Sequence, residues 1–517
     1  MTRPTLDYVI GCDVGSQSAK ALLLALDGTL AGESAVGYGI DYPQPVWAEQ
    51  PVERWTQAFE QAIRQLLAQT GVQARQVRAL GLASQVEGVV PIDAAGRPLR
   101  PAIIWMDKRA EPQCQRVREA VGDQRVFDIT GLNLDPSHVA PKMRWIADHQ
   151  PELFERTAHL LQPGAYMAYH LTGEFGLDYS NASSSLLLDI RTRQWSAEMC
   201  AHFGLDPALL PPVLPATAPL GTLRPSLAAS LGLSPNTLVV VGSGDEHAAC
   251  LGAGVVAAGL IGDIAGTSEP VCAAASGPTF DPDHLIETHC HADPDLWLLE
   301  NPGFVSGANY RWLRDHFAPD EVRLAAAGGA SAYARLDALA QGVAPGAEGL
   351  IFLPCLMGAT TPTWNEAARG TFFGFTLAHT RAHFTRAVLE GSAYAVRDIT
   401  DQFQKMGAPA HELRVMGGGA HSPLWNQIKA DVTGLPVAVP ATTETTAVGA
   451  ALLALVGCGA SASLAEACPL VVRLDQHYAP RPKTRAAYDE AYGLYREVYF
   501  GLLPAFDRAA RNRAQGT

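Results

Sequence analysis

Three glycine-bearing turns and two carboxylates carry most of the chemistry legible in this chain. The first turn is Val14-Gly15-Ser16-Gln17-Ser18, preceded by Asp13. Gly beside Ser or Thr offers backbone N–H groups and hydroxyls as an anion-binding concavity. A carboxylate next to such a turn makes sense when a cation neutralises it. Mg2+ does so with one or two carboxylates, waters and phosphate oxygens. The plainer alternative is that Asp13 caps the turn. A second turn, Gly266-Thr267-Ser268, repeats the pattern in the other half of the chain.

The third glycine element is Val415-Met416-Gly417-Gly418-Gly419-Ala420-His421-Ser422, followed by Trp425-Asn426. Without Cβ atoms, its backbone can be approached by a flat ring. That suits adenine or ribose, with Asn426 hydrogen-bonding the base; the alternative is a tight loop needing positive φ. Asp245 sits in Gly242-Ser243-Gly244-Asp245-Glu246-His247, directly after the apolar run Leu238–Val241. A carboxylate there is placed to face a cleft as a catalyst, or else to cap the Ala-bearing segment that follows.

These groups need strands and helices to hold them. Tyr8–Asp13 and Lys20–Leu26 read as strands, and Asp27-Gly28 is a hairpin signal. Trp55, Phe59, Ile63 and Leu66 recur at helical spacing and predict a helix from about Pro51 to Thr70. A strand is expected over Val77–Ala83. Helices are expected over Ala140–His149, Ala165–Leu171, Pro423–Thr433 and Thr484–Tyr499. The proline-bearing stretch Leu205–Pro219 reads as a connecting loop. There is no fixed short repeat. The hydroxyl-bearing glycine turn that opens each half predicts two related α/β domains facing each other.

Composition bounds the function. The chain has 517 residues, 52 acidic against 38 basic, for a formal net charge of -14. With 48% apolar and 17% charged residues it is not a disordered chain. Single cores stop growing at about 250–300 residues, so two large domains or more are expected. The acidic balance argues against nucleic acid as a main partner. Met1–Asp7 lacks the basic start and apolar stretch of a signal peptide. The longest uncharged stretch, Thr445–Ala465, is strongly apolar only over Val448–Val456, so a buried helix followed by a loop is expected. Nine cysteines with no CxxC pair suit reduced thiols in a cytoplasm. His289-Cys290-His291 has the look of a metal cluster. Adjacent residues in a strand point to opposite faces, however, so convergence on one ion is not expected. Walker A, GxGxxG and GxSxG patterns are absent, and His411-Glu412 lacks the second histidine of a zincin because Val415 stands in its place.

Taken in order, these residues resemble the FGGY carbohydrate kinases of the actin/hexokinase/heat-shock-ATPase superfamily. The opening motif is Gly11-Cys12-Asp13-Val14-Gly15-Ser16-Gln17-Ser18-Ala19-Lys20, with Ser16 where Thr is commoner. Trp105-Met106-Asp107-Lys108-Arg109, Ala140 to Trp145, Leu171 to Glu174 with Asp178 and Ser180, and Gly244-Asp245 follow. Gly266 to Ser268, Arg369-Gly370 to Glu390-Gly391, Gly417 to Trp425 and Ala447 to Ala451 complete the series.

The resemblance implies two actin-like, ribonuclease-H-like ATPase domains, each a mixed sheet flanked by helices, closing on a cleft. Residues 1–255 would form the sugar and phosphate side and 256–517 the nucleotide side. Asp245 would be the general base, and Asp13 would hold Mg2+, directly or through water. Ser16, Gln17, Lys20, Gly266, Thr267 and Ser268 would bind phosphates. Gly417, Gly418, Gly419 and Asn426 would lie at adenosine. Gln85, Val86, Glu87, Trp105, Asp107, Asp245 and Glu246 would read the sugar. ATP is the implied co-substrate and Mg2+ the implied cofactor. No nucleic acid or membrane partner is implied, the expected location is cytoplasmic, and homodimers are common in the family.

The sugar-reading segment is Ser84-Gln85-Val86-Glu87-Gly88. Xylulokinases usually show Gln-Met-His-Gly there and Asn after the catalytic Asp; this chain has Val86-Glu87 and Glu246. Glycerol kinases share Glu87 but not Val86, and carry an aromatic where Ser137 falls. D-xylulose ranks first as acceptor, ahead of another pentulose or a sugar alcohol. Glu87 can accept hydrogen bonds from two hydroxyls, or it pairs with an arginine. Two other classes fit less well. A chaperone or filament protein of this superfamily would not need the sugar segment, and a sugar sensor would not need Asp13, Asp245 and both phosphate turns.

Overall fold

Tyr8–Val14 (β1) and Ser18–Ala25 (β2) fold back on each other so that Asp13 stands opposite Lys20. The computed structural model describes residues 6–515, so Met1–Thr5 and the expectation made for them lie outside the described residues. Leu30–Gly37 (β3) continues the antiparallel meander after the Asp27-Gly28 turn, where Gly28 takes a φ of 88°. Helix Val52–Thr70 (α1) buries Trp55, Phe59, Ile63 and Leu66, the stripe its spacing predicts. Val77–Ser84 (β4) then runs parallel to β1. Pro219–Thr222 (β5) and Leu238–Val240 (β6) extend the sheet, and the short strand Ser243–Gly244 (β7) pairs the end of β4.

The second sheet comprises Gly259–Ile264 (β8), Ser268–Ala275 (β9), Glu287–Cys290 (β10), Trp297–Val305 (β11), Ala410–Met416 (β12), Val437–Pro440 (β13) and Leu474–Tyr478 (β14). Its pairing repeats the first. The antiparallel meander β3-β2-β1 followed by parallel β4 and β6 is matched by β11-β9-β8 followed by parallel β12 and β13. In each sheet an antiparallel strand, β5 or β14, then pairs with the last parallel strand. The two glycine turns are the β1–β2 and β8–β9 turns of this repeated unit.

The helices around the sheets include Val139–His149 (α2), Asp245–Gly252 (α3), Gly307–Phe317 (α4), Ala332–Gln341 (α5), Arg381–Lys405 (α6), Pro423–Thr433 (α7), Thr445–Gly457 (α8) and Arg485–Gln515 (α9). The last runs well past the expected Tyr499, and the buried face of Tyr488, Tyr492, Tyr495 and Tyr499 continues to Phe506. Although it lies late in the chain, α8 packs on the first sheet, where Gly11 and Gly81 leave no room for a side chain. A Cβ added at Gly11 would sit 2.0 Å from the Ala447 carbonyl oxygen, and one at Gly81 1.9 Å from that of Ala450. Helix α3, in turn, packs Cys250 and Ala253 against Cys272 and Ala274 of the second sheet. The α3–α8 pair thus joins the two sheets. Among the described residues no helix is long and apolar enough to cross a membrane.

Candidate active site

The parallel strands β1, β4 and β7 end side by side. Both Asp13 and Ser243 are register partners of Ala83, and Val14 and Gly244 of Ser84. Asp13 and the residue before Asp245 therefore meet at the carboxyl edge of one sheet, where ligands of open α/β sheets bind. Ser180 Oγ accepts the Gly244 N–H at 2.9 Å and fixes the turn from behind. Asp245 is the first residue of α3, with Gly244 as the cap, so the N-cap alternative fails. Burial, Asp13 and Glu246 together push its carboxyl well above the usual range.

Asp13 is buried, and its Oδ1 has no hydrogen-bond partner. Burial raises it to about 7, against the opposing pull of Lys20. Lys20, expected at the phosphates, has its ammonium 2.6 Å from Glu444, a residue the sequence reading did not single out. The first glycine turn is braced through its carbonyls. Tyr38 holds those of Gly15 and Gln17, and the Gln50 amide donates to that of Ser16 at 2.7 Å. What the turn has left to offer is N–H groups and the Ser16 hydroxyl, which accepts from Trp105 Nε1 at 2.8 Å. Gln17 is exposed at its tip.

The second turn is held in the same way. Gly307 N–H donates to the Gly266 carbonyl at 3.1 Å, and Ser306 and Ala308 to that of Thr267 at 3.2 and 3.1 Å. Thr267 and Ser268 are exposed, and Arg311 reaches Thr267 Oγ1 at 3.4 Å. Beside it, the Gly417–Gly419 loop leaves β12 next to β8, with Gly419 N–H on the Ala265 carbonyl at 2.8 Å. The tight-loop reading holds at Gly417, and open space lies beside Gly418. Gly417 has a φ of 79°, and Gly419 packs on Ala265, whereas Gly418 has nothing within 4 Å of where a Cβ would be. Gly266, Thr267, Gly418 and Gly419 line a cavity of about 1170 Å³, with Tyr310, Arg311, Tyr333 and Asp337 on its far walls. It is roomy for a nucleotide, since ligand pockets run to about 300–1,000 Å³.

Three expected contacts need correcting. Asn426 is fully buried beneath the loop, and its amide donates to the Ala420 carbonyl at 2.8 Å, so it props the loop instead of facing the cavity. Asp107 is fully buried too. Its carboxylate takes the Ala48 N–H at 2.6 Å and the Arg109 guanidinium at 2.7–3.0 Å, leaving nothing for a sugar. Gln85 is buried with its amide donating to Gln50 Oε1 at 2.9 Å, and so braces the first glycine turn through Gln50.

Of the other residues expected at the sugar, Val86, Glu87 and Glu246 are half-buried and Trp105 is exposed. Glu87 has a φ of 61°, strained for a residue with a side chain. Two contacts hold it there: Lys142 Nζ, from α2, on its carbonyl at 2.8 Å, and His138 Nδ1 on Oε1 at 2.8 Å. The partner is thus a histidine and not an arginine. Burial alone would raise Glu87, but His138 holds it below the usual range; burial disfavours charge on His138, yet Glu87 lifts it to about 9. Glu246 is raised by burial and by nearby Glu87, and shares a hydrogen bond with Glu300. His138, Glu287 and Glu300 were missed by the sequence reading. Only His138 had a local signal, two residues before Ala140-Pro141-Lys142.

Comparison with known proteins agrees with this architecture. Residues 8–252 match the FGGY family of carbohydrate kinases, N-terminal domain, and residues 264–458 the C-terminal domain. The xylulose kinase of Escherichia coli (strain K12) is 34% identical over 496 residues, 96% of this chain and 99% of that protein. A gluconokinase of Bacillus licheniformis is 30% identical over 490 residues, 94% of each. The crystal structure of xylulose kinase from Rhodospirillum rubrum superposes with a TM-score of 0.87 at 29% identity, covering 97% of this chain and 100% of that one. With both family domains matched in order on two sheets whose equivalent glycine turns and whose Asp13 and Asp245 stand at strand ends, this chain belongs to the FGGY family and is a carbohydrate kinase.

Proposed function

We propose that this kinase transfers the γ-phosphoryl group of ATP to a hydroxyl of a neutral sugar, D-xylulose in the first place, with Asp245 as general base. The observation that carries this reading is the pairing of Asp245 with Asp13 at adjoining strand ends, Asp13 buried, Asp245 half-buried, and both carboxyls raised. A base works best with a pKa near the operating pH, and burial supplies that lift. The hydroxyl proton would pass to Asp245 as the hydroxyl oxygen attacks the γ-phosphorus, and the bond to the β-phosphate oxygen of ADP breaks. The two braced turns would hold the phosphates through N–H groups, so that positioning dominates the acceleration.

Asp13 fits a divalent cation. Its Oδ1 is buried and unpartnered, and the neighbouring ammonium is already engaged by Glu444. Mg2+ bound there would neutralise phosphate charge, directly on Asp13 or through water. In this reading residues 1–255 carry the acceptor and 256–517 the nucleotide, with α8 reaching back across the cleft.

The acceptor pocket favours a neutral sugar over gluconate. Glu87 and Glu246 lie close enough to repel each other, and an acid sugar read by them would bring a further like charge. A sugar alcohol or another pentulose is the second reading, supported by the Glu87–His138 pair, which offers an acceptor for adjacent hydroxyls. ADP release with Mg-ATP against D-xylulose, D- and L-ribulose, xylitol, ribitol, erythritol, glycerol and D-gluconate tests this. A preference for D-xylulose supports the first reading and a preference for a polyol the second; a preference for gluconate overturns both.

A further inference from the structure

Next to the acceptor pocket, three elements bring together a donor set that phosphoryl transfer does not use. His247 from α3, His289 from β10 and Glu300 from β11 are all buried, and one donor atom from each lies within 4.8 Å of the others. Both ring nitrogens of His247, Nε2 of His289 and Oε2 of Glu300 have no hydrogen-bond partner. A buried polar atom left unpaired keeps its full desolvation penalty, so several in one place call for an occupant.

We propose that His247, His289 and Glu300 bind one divalent transition-metal ion of the zinc type, held between α3 and strands β10 and β11. Two imidazoles and a carboxylate are a donor set that Zn2+ takes, with bonds of about 2.0–2.2 Å that put donors about 3.3 Å apart in a tetrahedron. His289 Nε2 stands 3.7 Å from Glu300 Oε2 and also 3.7 Å from Glu287 Oε2, so Glu287 borders the three-donor group without being part of it, and the fourth position is left to water. Glu287 stands opposite Glu300 in the β10–β11 ladder, so both carboxylates approach from one face. Ligating histidines are usually oriented by a partner on the other ring nitrogen. Ser184 Oγ lies 3.2 Å from His289 Nδ1 and does this. The nitrogen donors separate this site from the all-oxygen environment that Mg2+ prefers. Bound metal would tie α3, which begins at Asp245, to the second sheet.

The test uses the full chain, stripped with a chelator and titrated with Co2+ alone, without nucleotide or sugar. The expected result is one Co2+ per chain, with a visible d–d band abolished by one equivalent of Zn2+ and a higher melting temperature when loaded. His247→Gln and His289→Gln should each weaken binding at least about tenfold, judging from the effect of losing even outer-shell partners. Asp13→Asn should bind Co2+ as the parent chain does. No saturable Co2+ binding by the parent chain overturns the proposal, as does a band that survives in both histidine variants or vanishes in Asp13→Asn. If a histidine variant fails to fold, Glu300→Gln is judged by the same tenfold criterion.

Discussion

His138 Nδ1 lies 2.8 Å from Glu87 Oε1, and both side chains are buried against Lys142. The histidine's folded pKa of about 9 lies above its ordinary value of about 6.5. Its stabilisation is therefore fully present below pH ~6.5 and is lost as pH rises through about 9. Glu87 is shifted down, so its share is present above its ordinary pKa of about 4.3 and is lost as pH falls through its lowered value. The His138 shift corresponds to about 3 kcal/mol. His138→Gln should melt about 5 °C below the parent chain at pH 6, with the gap closing above pH ~9. A gap that stays constant across this range would deny the ion pair its role.

Asp245→Asn should bind ATP with unchanged affinity and lose turnover by at least about 10²-fold, the contribution of a positioned base. Steady-state ADP release and equilibrium nucleotide binding separate the two effects. Turnover at the parent rate would remove Asp245 from the chemistry.

Asn426→Ala tests whether the residue reads the base or props the loop. Its amide is spent on the Ala420 carbonyl. The KM values for ATP and GTP should therefore rise by a similar factor, with the preference between them unchanged. A selective loss of ATP would mean direct recognition of adenine.

Gly449→Ala should be poorly tolerated, because the new Cβ would sit 1.9 Å from the Ala248 carbonyl oxygen at the α3–α8 crossing. Overpacking costs about 1–3 kcal/mol even where side chains can move, and here the obstacle is backbone. Gly39→Ala is the control, since nothing lies within 4 Å of its Cβ position. Thermal melts should show a loss of several degrees for the first and little change for the second.

The sequence alone determined the local pieces. The spacing of Trp55, Phe59, Ile63 and Leu66 specified α1, and the apolar runs around Gly15 and Gly266 specified two equivalent strand–turn–strand units. Asp13 and Asp245 stood out because each lies at or just past the end of an apolar strand, within two residues of a glycine. These signals are local, set by periodicity and by backbone freedom that only glycine supplies. The tertiary structure decided where polar side chains spend their hydrogen bonds. Asp107 and Asn426 carry family-like positions in the sequence, yet Arg109 with Ala48 and the Ala420 carbonyl claim them. Alternation along a strand separated His289 from Cys290 correctly, but could say nothing of His247 and Glu300, which arrive from another helix and another strand. Such pairings depend on long-range register and on which groups are left unsatisfied in a dry interior. No window of neighbouring residues contains that information.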